Sequence, residues 1–314
     1  KAKKAKIDAV IAWDYSVFAE CSKLKIPIHL STQASVSSYA ALKEYKNKFP
    51  GITSVNLARE LNIEQITNII KSIKKDNLKV DIETFVHGAM CVSVSGRCFL
   101  SQEVFGKSAN RGDCLQPCRR QYLVKDVEEK HSFELGEDFV LSPKDLCTIK
   151  VIDKLISAGI NVFKIEGRNR SPEYVKVVTE CYREAIDNQK ADTAKLYERL
   201  KTVYNRGFST GFYMGKPMGE WSKAYGSKAT KKKEYIGKVV NYFDKVKAAE
   251  ILIESGGLSL KDHLMVQGPT TGIVEIDVTS MQAQHKDVKS AKKGSSIAVK
   301  IGKVRKNDKV YKII

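Results

Sequence analysis

Five of the seven cysteines of this chain, Cys91, Cys98, Cys114, Cys118 and Cys147, fall in one stretch threaded with glycine and arginine. Its densest runs are HGAMCVSVSGRCFLS and NRGDCLQPCRRQY. Thiolates are nucleophiles and soft metal ligands, so such a group points to metal binding, redox chemistry or disulfides. Disulfides fit poorly. The chain is large and lysine-rich and shows no signal-peptide pattern, which favours a reducing, cytoplasmic setting. The spacing is not that of a ferredoxin, and spacing alone leaves zinc and iron–sulfur both open. Gly88, Gly96 and Gly112 would let backbone approach a bulky inorganic core and offer N–H groups to sulfur. Arg97, Arg111, Arg119 and Arg120 would favour thiolates and balance an anionic centre. Cys21 and Cys181 lie among apolar neighbours on helical patterns and read as buried, inert thiols.

These residues must be held by a scaffold, and the first two-thirds of the chain describes one. Short apolar runs alternate with amphipathic stretches: IDAVIAWD then YSVFAECSKL, PIHLSTQ then SVSSYAALKEYKNK, ITSVNLA then NIEQITNIIKSIKKD, and VDIETFVHG before the cysteine segment. After it come FVLSP with DLCTIKVIDKLISAG, and INVFKIEG with SPEYVKVVTECYREAIDN. Continuous apolar strands alternating with helices predict a parallel α/β sheet with helical crossovers. Six such units are two short of a (β/α) TIM-like barrel, so either the sheet is open or the barrel is incomplete at the N-terminus of this chain. Polar residues recur at the strand ends: Asp14, Gln33, Asn56, Arg59, Glu83, His87, Lys144, Asp145, Glu166 and Arg168. Singly each would serve as a cap or salt bridge, and Glu166 with Arg168 as a mutual pair. Repetition at every strand end describes a polar pocket.

From about Tyr235 the pattern changes to short alternating runs broken by glycine, which predicts a small all-β barrel. The expected division is 1–227 for the α/β unit, with a cysteine-rich insertion at about 88–135, and 234–314 for the β unit, joined by a linker around KATKKK. The formal charge of the 314 residues is +18, and 42% are hydrophobic, which excludes a chain disordered throughout. Residues 228–314 hold 18 Lys and Arg against 9 Asp and Glu, half of the whole excess in little over a quarter of the length. A basic appendage on an enzyme-like body is the footprint of a polyanion partner. No apolar run is long enough to span a bilayer, so no membrane partner is expected.

ETFVHGAMCVSVSGRCFLS resembles the signature of the collagenase-like peptidase family U-32, of unknown catalytic type. HLSTQ, NRGDCLQPCRRQY, LSPKDL, FKIEGR and NRGFSTGFY support the resemblance, which covers roughly residues 8–225. The later β unit is similar to the C-terminal domain of the longer members. A peptidase reading finds no Ser/His/Asp, Cys/His or HExxH arrangement of readable spacing. Better understood relatives are oxygen-independent hydroxylases carrying an iron–sulfur cluster. Some act on the wobble uridine of tRNA with prephenate as co-substrate, others on a cytidine of ribosomal RNA or on a quinone precursor. The resemblance implies a barrel and a four-iron (4Fe-4S) cluster held by Cys91, Cys98, Cys114 and Cys147, with Cys118 as rival for the fourth place. It makes His87, Glu166 and Arg168 candidates for proton transfer or substrate contact. Gln33, Arg59 and Arg168 are candidates for binding, the arginines because guanidinium pairs bidentately with carboxylate. The basic β unit favours tRNA as partner. A metal-dependent peptidase, an rRNA cytidine hydroxylase and a non-catalytic RNA-binding protein with structural zinc are the competing expectations.

Overall fold

The computed structural model describes residues 1–94, 96–120, 122–125, 128, 132–135, 143–188, 190–215, 222 and 226–314. They form two compact units. One comprises residues 1–168, 181–198 and 205–228, the other 169–180, 199–204 and 229–314.

The first unit opens with β1 (Val10–Ala12), α1 (Tyr15–Leu24), β2 (Ile28–Leu30), α2 (Tyr39–Lys48), β3 (Ile52–Asn56), α3 (Ile63–Lys75) and β4 (Asp81–Gly88). It continues through α4 (Leu100–Phe105), a hairpin of β5 (Tyr122–Lys125) and β6 (Ser132–Leu135), β7 (Asp145–Cys147), α5 (Ile152–Ser157), β8 (Val162–Ile165), α6 (Pro172–Asp187), α7 (Thr193–Lys201) and β9 (Phe208–Ser209). Strands β1, β2, β3, β4 and β8 pair in parallel, in that order. β7 joins β4 antiparallel, and β9 runs parallel to β7. The strands are apolar because helices cover them: Ile28, Leu30, Ile52, Val55, Ile82 and Val86 are almost fully buried. Helix α3 shows why the crossovers form. Ile66, Ile69, Ile70 and Ile73 recur at helical spacing and are all buried, each contributing about 1.5–3 kcal/mol. Asn62 and Gln65 close a capping box at its first turn. Asp14, expected among the strand-end polar residues, is a cap: its carboxylate accepts the Ser16 N–H at 2.8 Å and starts α1.

The parallel α/β architecture is as expected, with one correction inside it. The run from Asp145 reads as the start of a helix. Asp145–Cys147 is instead a fully buried strand, with Cys147 opposite His87, and regular helix begins only at Ile152 after a tight turn at Ile149–Val151. A short buried strand and a buried first turn look alike in periodicity, and only the neighbouring strand decides. The FVLSP strand expected at 139–143 lies, apart from Pro143, outside the described residues. Among those residues no pairing carries β8 or β9 back to β1, so the sheet is not closed into a barrel.

The second unit is antiparallel throughout. Its strands are β10 (Lys233–Phe243), β11 (Ala248–Ile253), β12 (Gly257–Ser259), β13 (His263–Gly268), β14 (Gly272–Asp277), β15 (Met281–Ala283), β16 (Lys286–Asp287), β17 (Ser290–Lys292), β18 (Ser296–Lys300) and β19 (Lys309–Ile313). Eight of them follow the order β14-β13-β19-β10-β11-β18-β15-β16, and β12 pairs with β17. Alternate residues such as Ile251, Ile253, Leu264, Val266, Ile297 and Val299 turn inward to one core. No pairing among the described residues closes this ladder either. The first part of α6 belongs to this unit, where Glu173 meets Lys233 at 2.6 Å and Lys176 meets Glu275 at 3.0 Å. No helix among the described residues is long and apolar enough to cross a membrane.

Candidate functional site: a cysteine-rich loop over the strand ends

The segment after β4 lies across the C-terminal ends of the parallel strands, and the contacts name which ones. Arg97 donates from Nη2 to the Gln33 carbonyl at 3.1 Å, and its guanidinium stands 5.9 Å from the Trp13 ring. The Gln33 side-chain amide donates to Asn110 Oδ1 at 2.9 Å. Gly96 packs so closely on Gln33 that a Cβ would come within 2.4 Å of Nε2, and its φ of 76° suits glycine. At β8, Arg168 Nη1 donates to the Gly112 carbonyl at 3.3 Å, while the Arg168 backbone N–H donates to Glu166 Oε1 at 2.9 Å. Gly112 is again a close approach: a Cβ there would stand 2.9 Å from Arg168 Nη1. So the ends of β1, β2 and β8 hold the loop, and Gln33 and Arg168 hold it directly.

Four thiols gather in this loop. The Cys118 thiol is pushed up by burial, opposed by Arg119, and then raised further by the charges of Cys91, Cys114 and Cys98. Cys118 therefore lies within electrostatic reach of the other three. Backbone N–H groups point at two of the sulfurs, Leu100 to Cys98 and Gln116 to Cys114, each at 3.4 Å. The Cys91 sulfur lies 3.5 Å from Ser93 Oγ. Arg119 is buried and clamps the loop from below, donating to the Pro143 carbonyl at 2.7 Å and the Met90 carbonyl at 2.6 Å. Among the described residues no three His, Cys, Asp or Glu side chains converge tightly enough to hold a single metal ion.

Cys147 has a different place. It is buried on β7, its thiol is pushed up to about 11 chiefly by burial, and its named neighbours are Tyr182, Cys181 and Lys150. The Tyr182 hydroxyl donates to the Val86 carbonyl at 2.8 Å and accepts from the Thr148 N–H at 3.0 Å. His87, 1% exposed, is packed beside it, with Nδ1 3.4 Å from that hydroxyl and the Phe208 ring 5.5 Å away. Cys118 thus feels the charges of Cys91, Cys98 and Cys114, while Cys147 is paired into the sheet opposite His87. Cys21 on α1 and Cys181 on α6 are buried, in the settings expected of them.

Arg59, just beyond β3, links the loop to a small cleft. Phe85, Met90, Leu146, Gly211, Phe212 and Tyr213 line it with Arg59. The guanidinium stacks 3.8 Å from the Phe85 ring centre and donates to the Ala89 carbonyl at 3.1 Å. Its Nε is buried with no hydrogen-bond partner among the described residues. Burial pulls the Arg59 pKa down, against the opposing charges of Glu166, Cys91, Tyr213 and Glu60. Tyr213 donates to the Phe85 carbonyl at 2.5 Å and is raised to about 12 by burial. Glu83 is occupied elsewhere, taking Lys164 at 2.7 Å and the Asn56 amide at 2.5 Å on one oxygen. Sequence reasoning missed the aromatic lining of the cleft. The run NRGFSTGFY was recognisable, but nothing in it says that Phe212 and Tyr213 return to Arg59.

Residues 1–223 match peptidase family U32. The chain belongs to that family. Over 324 residues it is 43% identical to a protein named collagenase from Porphyromonas gingivalis, which covers 99% of this chain and 78% of the relative. It is 36% identical over 251 residues to tRNA hydroxylation protein P1 of Bacillus subtilis, covering 76% of this chain and 58% of that protein. It is 38% identical over 192 residues to the 23S rRNA 5-hydroxycytidine C2501 synthase of Escherichia coli, covering 60% of this chain and 28% of that one. U32 members thus carry both peptidase and RNA-hydroxylation names, and the site's chemistry must choose between them.

Proposed function

We propose that this U32 chain is an RNA hydroxylase that acts on the wobble uridine of tRNA at C5, with prephenate as co-substrate and a four-iron cluster in the cysteine loop. The observation that carries this reading is the gathering of four thiols in one loop, with Cys118 feeling the charges of the other three, beside a cleft that half-buries Arg59. The donor set fits the cluster. Four thiols, two N–H···S contacts and the flanking Arg119 are what cysteine-held iron–sulfur centres use. The same four thiols would also suit a tetrahedral zinc, and iron and sulfide analysis tells the two apart. The ligands proposed are Cys91, Cys98, Cys114 and Cys118. When bound, the cluster would supply electron transfer or a Lewis-acid iron.

The chain's own residues would bind and orient the substrates. Arg59 offers a buried Nε donor beside a small, aromatic-lined cleft, and its guanidinium would pair with the carboxylate of the co-substrate. Glu166, whose charge acts on Arg59, is the candidate for proton transfer. A base must leave its stack to reach such a site, and an anticodon loop gives one up at small cost. The parallel strands would form part of a β/α barrel, whose C-terminal face carries the site in that fold. A second reading is supported by the collagenase names of relatives that match along almost the whole chain. The two part on one experiment. Nucleoside mass spectrometry of tRNA and rRNA from cells lacking the gene should show loss of a 5-hydroxyuridine derivative in tRNA. Unchanged RNA together with gelatin cleavage by the purified protein would establish the peptidase. A change confined to 23S rRNA would move the chain to the cytidine branch.

A further inference from the structure

One end of the second unit gathers six exposed cationic side chains around an exposed aromatic ring, from two segments that the fold ties together. The first segment is the turn between β10 and β11, which carries Phe243, Lys245, Val246 and Lys247. Phe243 is 42% and Val246 62% exposed. The second runs from the end of β18 toward β19 and carries Lys300, Lys303, Arg305 and Lys306, all exposed. Lys300 pairs in register with Ala248, the Ile301 N–H donates to the Lys247 carbonyl at 3.0 Å, and the Tyr242 hydroxyl reaches the Ile301 carbonyl at 3.4 Å. The acidic residue of the turn is Asp244, 3.9 Å from Lys303 and widely exposed.

The second segment is held in shape by a buried carboxylate. Asp308 is 4% exposed and accepts the Arg305 N–H at 2.8 Å and the Thr271 hydroxyl at 2.5 Å. Arg305 Nη1 in turn donates to Thr271 Oγ1 at 3.1 Å. Gly268 leaves room for this carboxylate, since a Cβ there would fall 1.8 Å from Asp308 Oδ1. Asn307 turns the chain at a φ of 71°. A buried acid is costly unless its hydrogen bonds are satisfied, and here they fix the loop that presents Lys303, Arg305 and Lys306. Cations fixed in place lose little entropy on binding.

We propose that this end of the β unit is the docking surface for a single-stranded loop of RNA, with phosphates on the lysines and Arg305 and one base stacked on Phe243. Six exposed cations against two acids, Asp244 and the buried Asp308, match a polyanion, and an exposed ring on the same turn offers a stacking platform that a merely solubilising charged face does not need. The proposal rests on the RNA reading above and places its contact on named residues.

The test is fluorescence anisotropy of the full chain with labelled tRNA, titrated across salt. Relative to the parent, the K303A/R305A/K306A variant should bind at least tenfold more weakly at low salt. Its slope of log affinity against log salt should be shallower by about 2, from three lost single-strand phosphate contacts. Phe243→Ala should weaken binding about tenfold with the slope unchanged, and Phe243→Trp should restore it. K289A/K292A/K293A removes equal charge near β17 and should change affinity little. Far-ultraviolet dichroism and the melting temperature check that each variant folds. Equal losses from the two triple variants would overturn the proposal while leaving RNA binding by diffuse charge. A parent chain that binds no tRNA would overturn both the surface and the RNA reading.

Discussion

At the residue scale, the clearest division is between two kinds of cysteine. Cys91, Cys98, Cys114 and Cys118 share a loop rich in N–H donors and arginine, whereas Cys147 is enclosed by apolar side chains and Tyr182. Replacing any of the first four by Ala should abolish bound iron and sulfide in anaerobically purified protein. Cys147→Ala should retain both, and retention by Cys118→Ala with loss by Cys147→Ala would exchange their places. A thiol pushed up to about 11 stays protonated through neutral pH. In the native protein Cys147 should therefore react with iodoacetamide far more slowly at pH 8 than a free cysteine of ordinary pKa near 8.5, as read by peptide mass spectrometry. Arg59 gives a second prediction. Arg59→Ala should leave iron and tRNA binding intact and lower kcat/KM for the carboxylate co-substrate by at least about thirtyfold, the loss typical of one partner of a buried charge pair. Unchanged co-substrate kinetics would remove Arg59 from the site.

At the element scale, helices α2 and α3 are tied by one carboxylate. Asp76, at the end of α3, accepts from the Tyr39 hydroxyl at 2.5 Å and from Lys43 at 2.7 Å. Lys43 and Tyr39 hold the Asp76 carboxyl below its ordinary value, and Asp76 raises the Tyr39 phenol. The signs define a window. A depressed carboxylate stabilises fully above its unfolded value of about 3.9 and loses this as pH falls through its lower folded value. A raised phenol stabilises fully below about 10 and loses this as pH rises through its higher folded value. Asp76→Asn should lower the melting temperature slightly between those limits and make no difference in strong acid. The effect is small because both partners are solvent-exposed. In the β unit, Gly237 lies between two register shifts of β10, and a Cβ would meet the Leu252 carbonyl oxygen at 2.0 Å. Gly237→Ala should destabilise the protein by about 3 kcal/mol, measured by denaturant unfolding, because backbone on the facing strand must move.

At the scale of the whole molecule, the boundary between the units is not a cut in the sequence. Residues 169–180 and 199–204 pack with the β strands, and Glu173 and Lys176 spend their charges on Lys233 and Glu275. Deleting 234–314 would leave Lys176 without Glu275, so surface substitutions report on RNA binding more cleanly than truncation. A cellular prediction belongs at this scale. Blocking prephenate synthesis should reproduce the tRNA nucleoside profile of a strain lacking this gene, and oxygen exclusion should not. A normal profile in the prephenate-starved strain would remove the co-substrate from the proposal.

What the sequence by itself determined was the alternation of strands and helices, the change to antiparallel β structure near Tyr235, and the cysteine-rich loop that follows β4. These are local facts: periodicity of 3.6 or 2, capping residues such as Asn62, and clustered cysteines beside glycines. It also carried the charge excess of the β unit, which is a matter of counting. Tertiary structure alone decided which groups meet. Cys118 and Cys147 lie 29 positions apart and both follow the signature, yet one feels the charges of the other thiols and one is paired into the sheet opposite His87. Tyr213 and Phe85 are far apart in the chain, and a hydrogen bond at 2.5 Å brings them to the same cleft. The strand at Asp145–Cys147 exists because β4 and β9 offer it partners, while its own apolar pattern would serve a helix equally well. Long-range pairing is a property of the packed sheet, and no window of neighbouring residues contains it.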